Sequence, residues 1–292
     1  MTIFILRSGS APVRSIVFML IGSFLLTMND AVLKLLTVSY PTGQLICIRG
    51  IFVLLILVFV TWRSGHVAKL SITSYSGQVG RASCLVIGTF CWIIGLNYLP
   101  LADAVAIAYC GPLFITILAS PLLGEKIGWQ RWSTVLIGFC GVLLITRPGS
   151  GAMQWAVLLP FVASFTGALR DIITRRISSH ETSESMLFFS TAALAIAGFC
   201  TLPFRWVLPT LIDLGLLAFS AVFLAGAHYL MIECFRLGEA AFVAPFKYSG
   251  IVWAIVLGFL LWQDIPDAWM ISGAIIVISG GIYMLRLEAR RR

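Results

Sequence analysis

Ten apolar runs, each about the length that crosses a bilayer, divide this chain of 292 residues. They cover approximately residues 15–37, 43–62, 79–97, 101–122, 131–147, 153–174, 185–204, 211–234, 240–262 and 268–286. A helix needs about 20 apolar residues to span the hydrocarbon core. The runs are continuous rather than alternating, which argues against a membrane β-barrel. Connections are short and rich in turn formers, as in Tyr40-Pro41-Thr42-Gly43, Leu99-Pro100 and Arg147-Pro148-Gly149-Ser150-Gly151. The pattern predicts an all-α polytopic membrane protein with nothing left over for a soluble domain.

Polar residues interrupt the runs at matching places. Ser23-Phe24 is followed by Asp30 and Lys34; 141 positions later, Ser164-Phe165 is followed by Asp171 and Arg175. Charge at the centre of a membrane helix costs roughly 2.5–3.5 kcal/mol per residue on insertion scales. Carrying it twice in register marks a duplicated chain with a polar interior, the outline of a secondary transporter. In each word the base follows the aspartate by four positions on one helix face, which predicts an intrahelical ion pair. The fourth and ninth runs hold a second matched pair. Tyr109-Cys110-Gly111-Pro112 interrupts one, and Pro245-Phe246-Lys247-Tyr248-Ser249-Gly250 the other. Proline removes a backbone donor and frees carbonyls that need a partner or a water-lined cavity. Gly111, Pro112 and Pro245 are therefore expected to break their helices beside a binding site.

Basic residues set the orientation. With a cytoplasmic N-terminus, the inner side holds fourteen: Arg7, Arg14, Arg63, Lys69, Arg81, Lys126, Arg131, Arg175, Arg176, Arg236, Arg286, Arg290, Arg291 and Arg292. The outer side holds two, Arg147 and Arg205. The positive-inside rule then places both termini in the cytoplasm. Five spans per half is an odd number, so the halves enter the membrane from opposite sides. The expected organisation is a cytoplasmic segment 1–14, two inverted five-helix repeats at 15–147 and 153–286, and a basic tail 287–292.

Composition agrees with this class. The chain is 60% hydrophobic and 11% charged, where soluble domains carry about a quarter charged residues. Its net charge of +8 belongs to cytoplasmic loops and implies no nucleic acid. The seven cysteines lie in apolar runs without CxxC spacing, so they read as small buried hydrophobes rather than disulfides or metal ligands. No metal and no cofactor are expected. An intramembrane enzyme would need a catalytic constellation. His66 and His180 are loop-borne, and neither HExxH nor Gly-x-Ser-x-Gly occurs. The chain is read as a carrier, not an enzyme.

The candidate substrate contacts are Asp30, Arg49, Asn97, Tyr109, Lys247, Tyr248 and Ser249, with Trp92 and Trp253 to stack on a flat ligand. Lys247 lies about 10 Å inside the inner boundary at 1.5 Å per residue, deep for snorkelling, so it should face a cavity or a carboxylate. Arg49 suits either a site role or a structural lock. His228 could titrate, bind substrate or pack. Glu233 and Arg236, three apart near a helix end, read as an edge ion pair. Gly138, Gly141, Gly273 and Gly280-Gly281 permit close packing and offer an interaction surface whose partner the sequence does not name; a homodimer is one option for the chain.

These residues resemble the drug/metabolite transporter superfamily, in its ten-span form with two EamA-type halves. The matching words are Asn29-Asp30-Ala31-Val32-Leu33-Lys34-Leu35, then Tyr40-Pro41 and Arg49; Pro112 leading to Leu123-Gly124-Glu125-Lys126; Trp132 to Gly141; and Ala244-Pro245-Phe246-Lys247-Tyr248. The resemblance extends over nearly the whole chain and is strongest to bacterial S-adenosylmethionine uptake carriers and riboflavin importers. It implies a bacterial inner-membrane carrier with a central cavity, working by alternating access on a small-molecule substrate. Arg170, directly before Asp171, departs from the family pattern and would neutralise that aspartate. Riboflavin is the first expected substrate, S-adenosylmethionine the second, and amino acid or drug export the third.

Overall fold

A lipid layer offers no water to backbone polar groups, and a helix satisfies them within one segment. Each long apolar run is mainly helical where its residues are described in the computed structural model, which describes residues 11–36, 39–63, 65, 70–98, 107–146, 155–203, 206–262 and 268–290. The helices are α1 (Ala11–Leu36), α2 (Thr42–Arg63), α3 (Tyr75–Tyr98), α4 (Gly111–Leu123), α5 (Trp129–Thr146), α6 (Leu158–Ile177), α7 (Ser183–Phe199), α8 (Leu211–Leu237), α9 and α10 (Ala268–Arg290). The ninth is tripartite: helix at Ala240–Val243, a tighter 3-10 turn at Ala244–Tyr248, then helix at Ser249–Trp262. No strand occurs among the described residues.

Local chemistry sets several ends. Thr182 and Thr210 cap α7 and α8, accepting from Ser185 N at 3.1 Å and Asp213 N at 3.2 Å, with an acidic residue in each first turn. Gly124 ends α4 at φ 69°, a left-handed position that favours glycine. Helix α1 starts four residues before the expected 15, because Arg14 lies in its first turn with its guanidinium 5.9 Å from the Phe18 ring.

The surface is apolar where a soluble protein's would be polar. Ile271, Ile275, Ile278 and Ile282 line an exposed face of α10, while Ile51, Leu55, Val58 and Trp62 do so on α2. Meanwhile Gln44, Arg49, Gln78, Arg81 and Asp171 are buried. That inversion suits a lipid surround. Among the described residues, Ala11–Leu33, Thr42–Arg63, Leu211–Leu237 and Ala240–Leu257 are long and apolar enough to cross a membrane, and Gly111–Leu123, Ser183–Phe199 and Ala268–Met284 are shorter apolar helices. Ten helices of this kind fit a polytopic membrane protein.

The principal packing pairs are α1 with α8, α3 with α6, α5 with α10, α2 with α7, α4 with α6, α1 with α9, α2 with α8, and α3 with α7. Exchanging each helix for the one five places away maps this set onto itself. Two ends of the bundle are distinguishable. At the end where α1 begins, Glu181 accepts from Thr73 N at 2.7 Å and Ser74 N at 2.5 Å, Glu125 from Ala240 N at 2.7 Å, and Arg131 pairs with Glu239 at 2.5 Å. At the far end Tyr40 donates to Asp213 at 2.6 Å, and Gln44 exchanges hydrogen bonds with the Val207 backbone.

The glycines expected to offer an interaction surface are used within the chain. A Cβ at Gly138 would stand 2.5 Å from the Tyr248 ring and one at Gly141 3.0 Å from the Gly273 carbonyl oxygen. Their lost side chains let α5 close on α9 and α10, so these residues do not form a free face.

Candidate functional site

The two helix breaks organise the interior. Tyr109 and Cys110 form a turn, and α4 starts at Gly111 with Pro112 in its first turn. That start needs no N–H from proline. The Ala108 carbonyl, upstream of the turn, accepts from Ser164 of α6 at 2.8 Å. In α9, Pro245 lies within the 3-10 segment, whose tighter winding carries Lys247 toward α6.

There Lys247 Nζ stands 2.5 Å from Asp171 Oδ2. The other oxygen, Oδ1, accepts from Arg170 Nε at 3.0 Å and Nη2 at 2.8 Å. Asp171 is buried, and Lys247 retains 22% of its side-chain exposure. The expected Asp171–Arg175 pair is not the one formed. Arg175 instead donates to the Phe235 and Arg236 carbonyls at 3.2 and 2.7 Å, because Arg170 and Lys247 already occupy the carboxylate.

Arg81 is the residue that sequence reasoning missed most fully. Counted among the inner-side bases at the start of the third run, it lies two turns into α3 and is buried. Its Nε donates to Thr174 Oγ1 at 2.8 Å, and Nη1 donates to Met186 O at 2.8 Å and to Ser190 Oγ. Arg81, Arg170, Asp171, Thr174, Ser190 and His228 share the wall of one small, partly open cavity, with Leu187, Ile232 and Phe235 among its apolar lining. The polar start of α3, Ser76 and Gln78, hid the helix from a hydropathy reading. Asp171 and Arg170 were visible as charges but lay close enough to the boundary to pass for snorkelling groups.

A second polar group lies toward the far end. Asn29 is buried, accepts from Arg49 Nη1 at 3.1 Å and donates to Asp30 Oδ1 at 3.0 Å. Arg49 is therefore fixed between α1 and α2, which gives it a structural role in this state. Asp30 itself is exposed. The Lys34 side chain lies outside the described residues, so the expected Asp30–Lys34 pair does too. Glu233 and Arg236 pair at 3.4 Å, and Ser183 also donates to Glu233.

The remaining candidates divide. His228 lines the cavity and Tyr109 is half-buried beside the α4 break. Tyr248 is fully buried against Tyr109, ring centroids 5.8 Å apart, with the Gly138 backbone close beneath it. It packs in the core rather than lining an open wall. The Ser249 hydroxyl is buried without a hydrogen-bond partner among the described residues. Trp253 donates to Leu20 O at 3.2 Å and meets Phe24 edge-on at 5.3 Å, so its ring is engaged within the bundle. Trp92 is half-buried in α3. Asn97 falls in the last turn of α3, with its side chain outside the described residues.

A polar, partly open interior at broken helices matches what comparison with known proteins returns. Residues 13–147 match the EamA-like transporter family. The first part of the chain is thus similar to an EamA-like transporter domain. The whole chain is 28% identical to an S-adenosylmethionine uptake transporter of Rickettsia bellii, over 92% of its own length and 94% of the relative's. It is 28% identical to a riboflavin transporter of Rhizobium johnstonii over 72% and 70% of the two chains. A pseudopaline exporter of Pseudomonas aeruginosa is 28% identical over 99% of each. One crystal structure shares the fold at TM-score 0.80 and 18% identity, covering 96% of this chain and 98% of that one. These names point to transport rather than catalysis. They differ in substrate and direction, so the EamA-like scaffold by itself does not fix either.

Proposed function

We propose that this protein is a secondary carrier of a bacterial inner membrane, moving a small polar metabolite by alternating access of two inverted five-helix halves, with both termini cytoplasmic. The observation that carries the reading is the charged cavity between α3, α6, α7 and α8, set within a bundle whose outer face is apolar. Ionisable groups inside a membrane bundle are costly and mark substrate or ion pathways. The self-mapping of the helix pairs supports the inverted repeat.

Riboflavin uptake is one candidate activity, and its support is the named relative. S-adenosylmethionine uptake is a second reading favoured by a specific feature. Of the rings expected to stack on a flavin, Trp253 is engaged in packing and Trp92 is half-buried outside the cavity, which presents Arg81, Arg170, Asp171 and His228. Purified protein in proteoliposomes should take up labelled metabolites from a panel of riboflavin, S-adenosylmethionine and amino acids, above protein-free vesicles. Uptake of none by correctly inserted protein would count against the carrier reading. Rescue of a riboflavin auxotroph at low external riboflavin would select the flavin.

A further inference from the structure

We infer that the cavity between α3, α6, α7 and α8 is a dock for a carboxylate group on the transported metabolite, an inference that rests on the carrier reading above. Arg81 and Arg170 line the cavity with a single carboxylate, Asp171, which Lys247 also pairs from outside the lining. Other acidic groups toward that end are engaged elsewhere. Glu181 takes Thr73, Ser74, Gln78 and Ser185; Glu233 takes Ser183 and Arg236; Glu125 takes the Ala240 and Ala241 amides; Glu239 takes Arg131. Asp30 is tied to Asn29, on the Arg49 side. The cavity therefore holds an excess of positive charge inside an apolar surround, where charge without a partner is strongly unfavourable.

The donors that remain define the ligand's shape. Arg170 spends Nε and Nη2 on Asp171, and its Nη1 has no partner among the described residues. The His228 ring lines the same cavity and has no hydrogen-bond partner among the described residues. Arg81 is held by three hydrogen bonds to α6 and α7, so it is a positioning charge behind the two contact residues. A guanidinium edge beside an imidazole offers convergent donors to the two oxygens of a carboxylate. A neutral ring system would leave the charge excess in place.

The test is competition for uptake by full-length protein in proteoliposomes, using S-adenosylmethionine, its decarboxylated form, riboflavin and flavin mononucleotide. The decarboxylated form keeps the sulfonium and the amine and lacks only the carboxylate. It should compete roughly tenfold or more weakly than the parent, the scale of a charge-assisted contact. Arg170→Gln and His228→Gln should bring the ratio of parent to decarboxylated affinity toward one, whatever their effect on overall transport, with Arg170→Lys retaining part of the difference. Comparing two ligands on one preparation cancels any loss of folded protein. Equal competition by the two forms, or saturable riboflavin uptake with neither form competing, overturns the dock while leaving the carrier reading intact. Flavin mononucleotide competing as well as the parent overturns the carboxylate assignment in favour of phosphate. Uptake of none of the four overturns the dock, and uptake of none of the amino acids either counts against the carrier reading with it.

Discussion

A carboxylate among membrane helices is tolerable when its oxygens are occupied by cations, and Asp171 meets that condition from both sides. Oδ1 takes Arg170 and Oδ2 takes Lys247. Removing Lys247 leaves Asp171 with one partner, so Lys247→Ala should fold but lose transport. Lys247→Arg should recover only part, because a planar fork replaces a point charge. Asp171→Asn is harsher: it strands Arg170 and Lys247 beside Arg81, and breaking a buried pair in this way costs about 3–5 kcal/mol. Thermal melting and initial uptake rates should separate the two cases, with Lys247→Ala inactive but stable and Asp171→Asn unstable. Retained transport in the alanine variant would remove Lys247 from the mechanism. Lys247 was legible because it lies about 10 Å inside the expected inner boundary of its run, and its partner was left open between a cavity and a carboxylate. Arg81 was illegible for a physical reason: hydropathy marks where lipid contact begins, and α3 begins before that, at Tyr75.

Between elements, closeness is set by missing side chains and by carboxylates that serve backbone donors. A Cβ at Gly198 would lie 2.8 Å from the Gly43 carbonyl oxygen and 3.0 Å from Cys47 N, both backbone atoms that cannot swing aside. Gly198→Ala should therefore push α7 off α2 and destabilise by about 1–3 kcal/mol, the range for overpacking. Gly167 has no atom within 4 Å of its Cβ position, and Gly167→Ala should be neutral or stabilising in the same melts. Glu181, in the α6–α7 connection, gives a pH-dependent case. Burial alone would raise its carboxyl, but hydrogen bonds from Ser185, the Ser74 and Thr73 amides and Gln78 outweigh that and hold it below its ordinary value of 4.5. The folded state thus binds the proton less readily than the unfolded chain. The contribution is complete above 4.5 and disappears as pH falls through the lower folded value. Between pH 6 and pH 3 the wild type should lose more melting temperature than Glu181→Gln, and parallel curves would refute the assignment. The elements were legible in outline, since helix existence follows from run length. The Glu181 cap was not, since it joins segments about a hundred residues apart through atoms that carry no hydropathy signal.

For the whole molecule, the departure from symmetry is as informative as the symmetry. Helix α8 packs on α6 and α7 in addition to α1 and α2, whereas its counterpart α3 makes no comparable contact with α1 or α2 among the described residues. The extra contacts include the Arg175 bonds to the end of α8 and the Ser183–Glu233 bond, all at the end where α1 begins. Toward the far end Asp30 is exposed. Alternating access in an inverted repeat requires the two arrangements to exchange. Under the proposed topology, with both termini cytoplasmic, the Asp30 end faces outward and is the accessible one. In a background with the exposed Cys140 and Cys200 replaced by serine, Asp30→Cys should react with a membrane-impermeant maleimide added outside intact cells. Leu187→Cys, at a position 1% exposed, should stay unlabelled. Reporter fusions after residues 147 and 292 should read outside and cytoplasm respectively. Both fusions on one side would remove the inverted repeat. Correctly placed fusions with Asp30→Cys labelled only from the cytoplasm would keep the repeat and reverse which gate is shut.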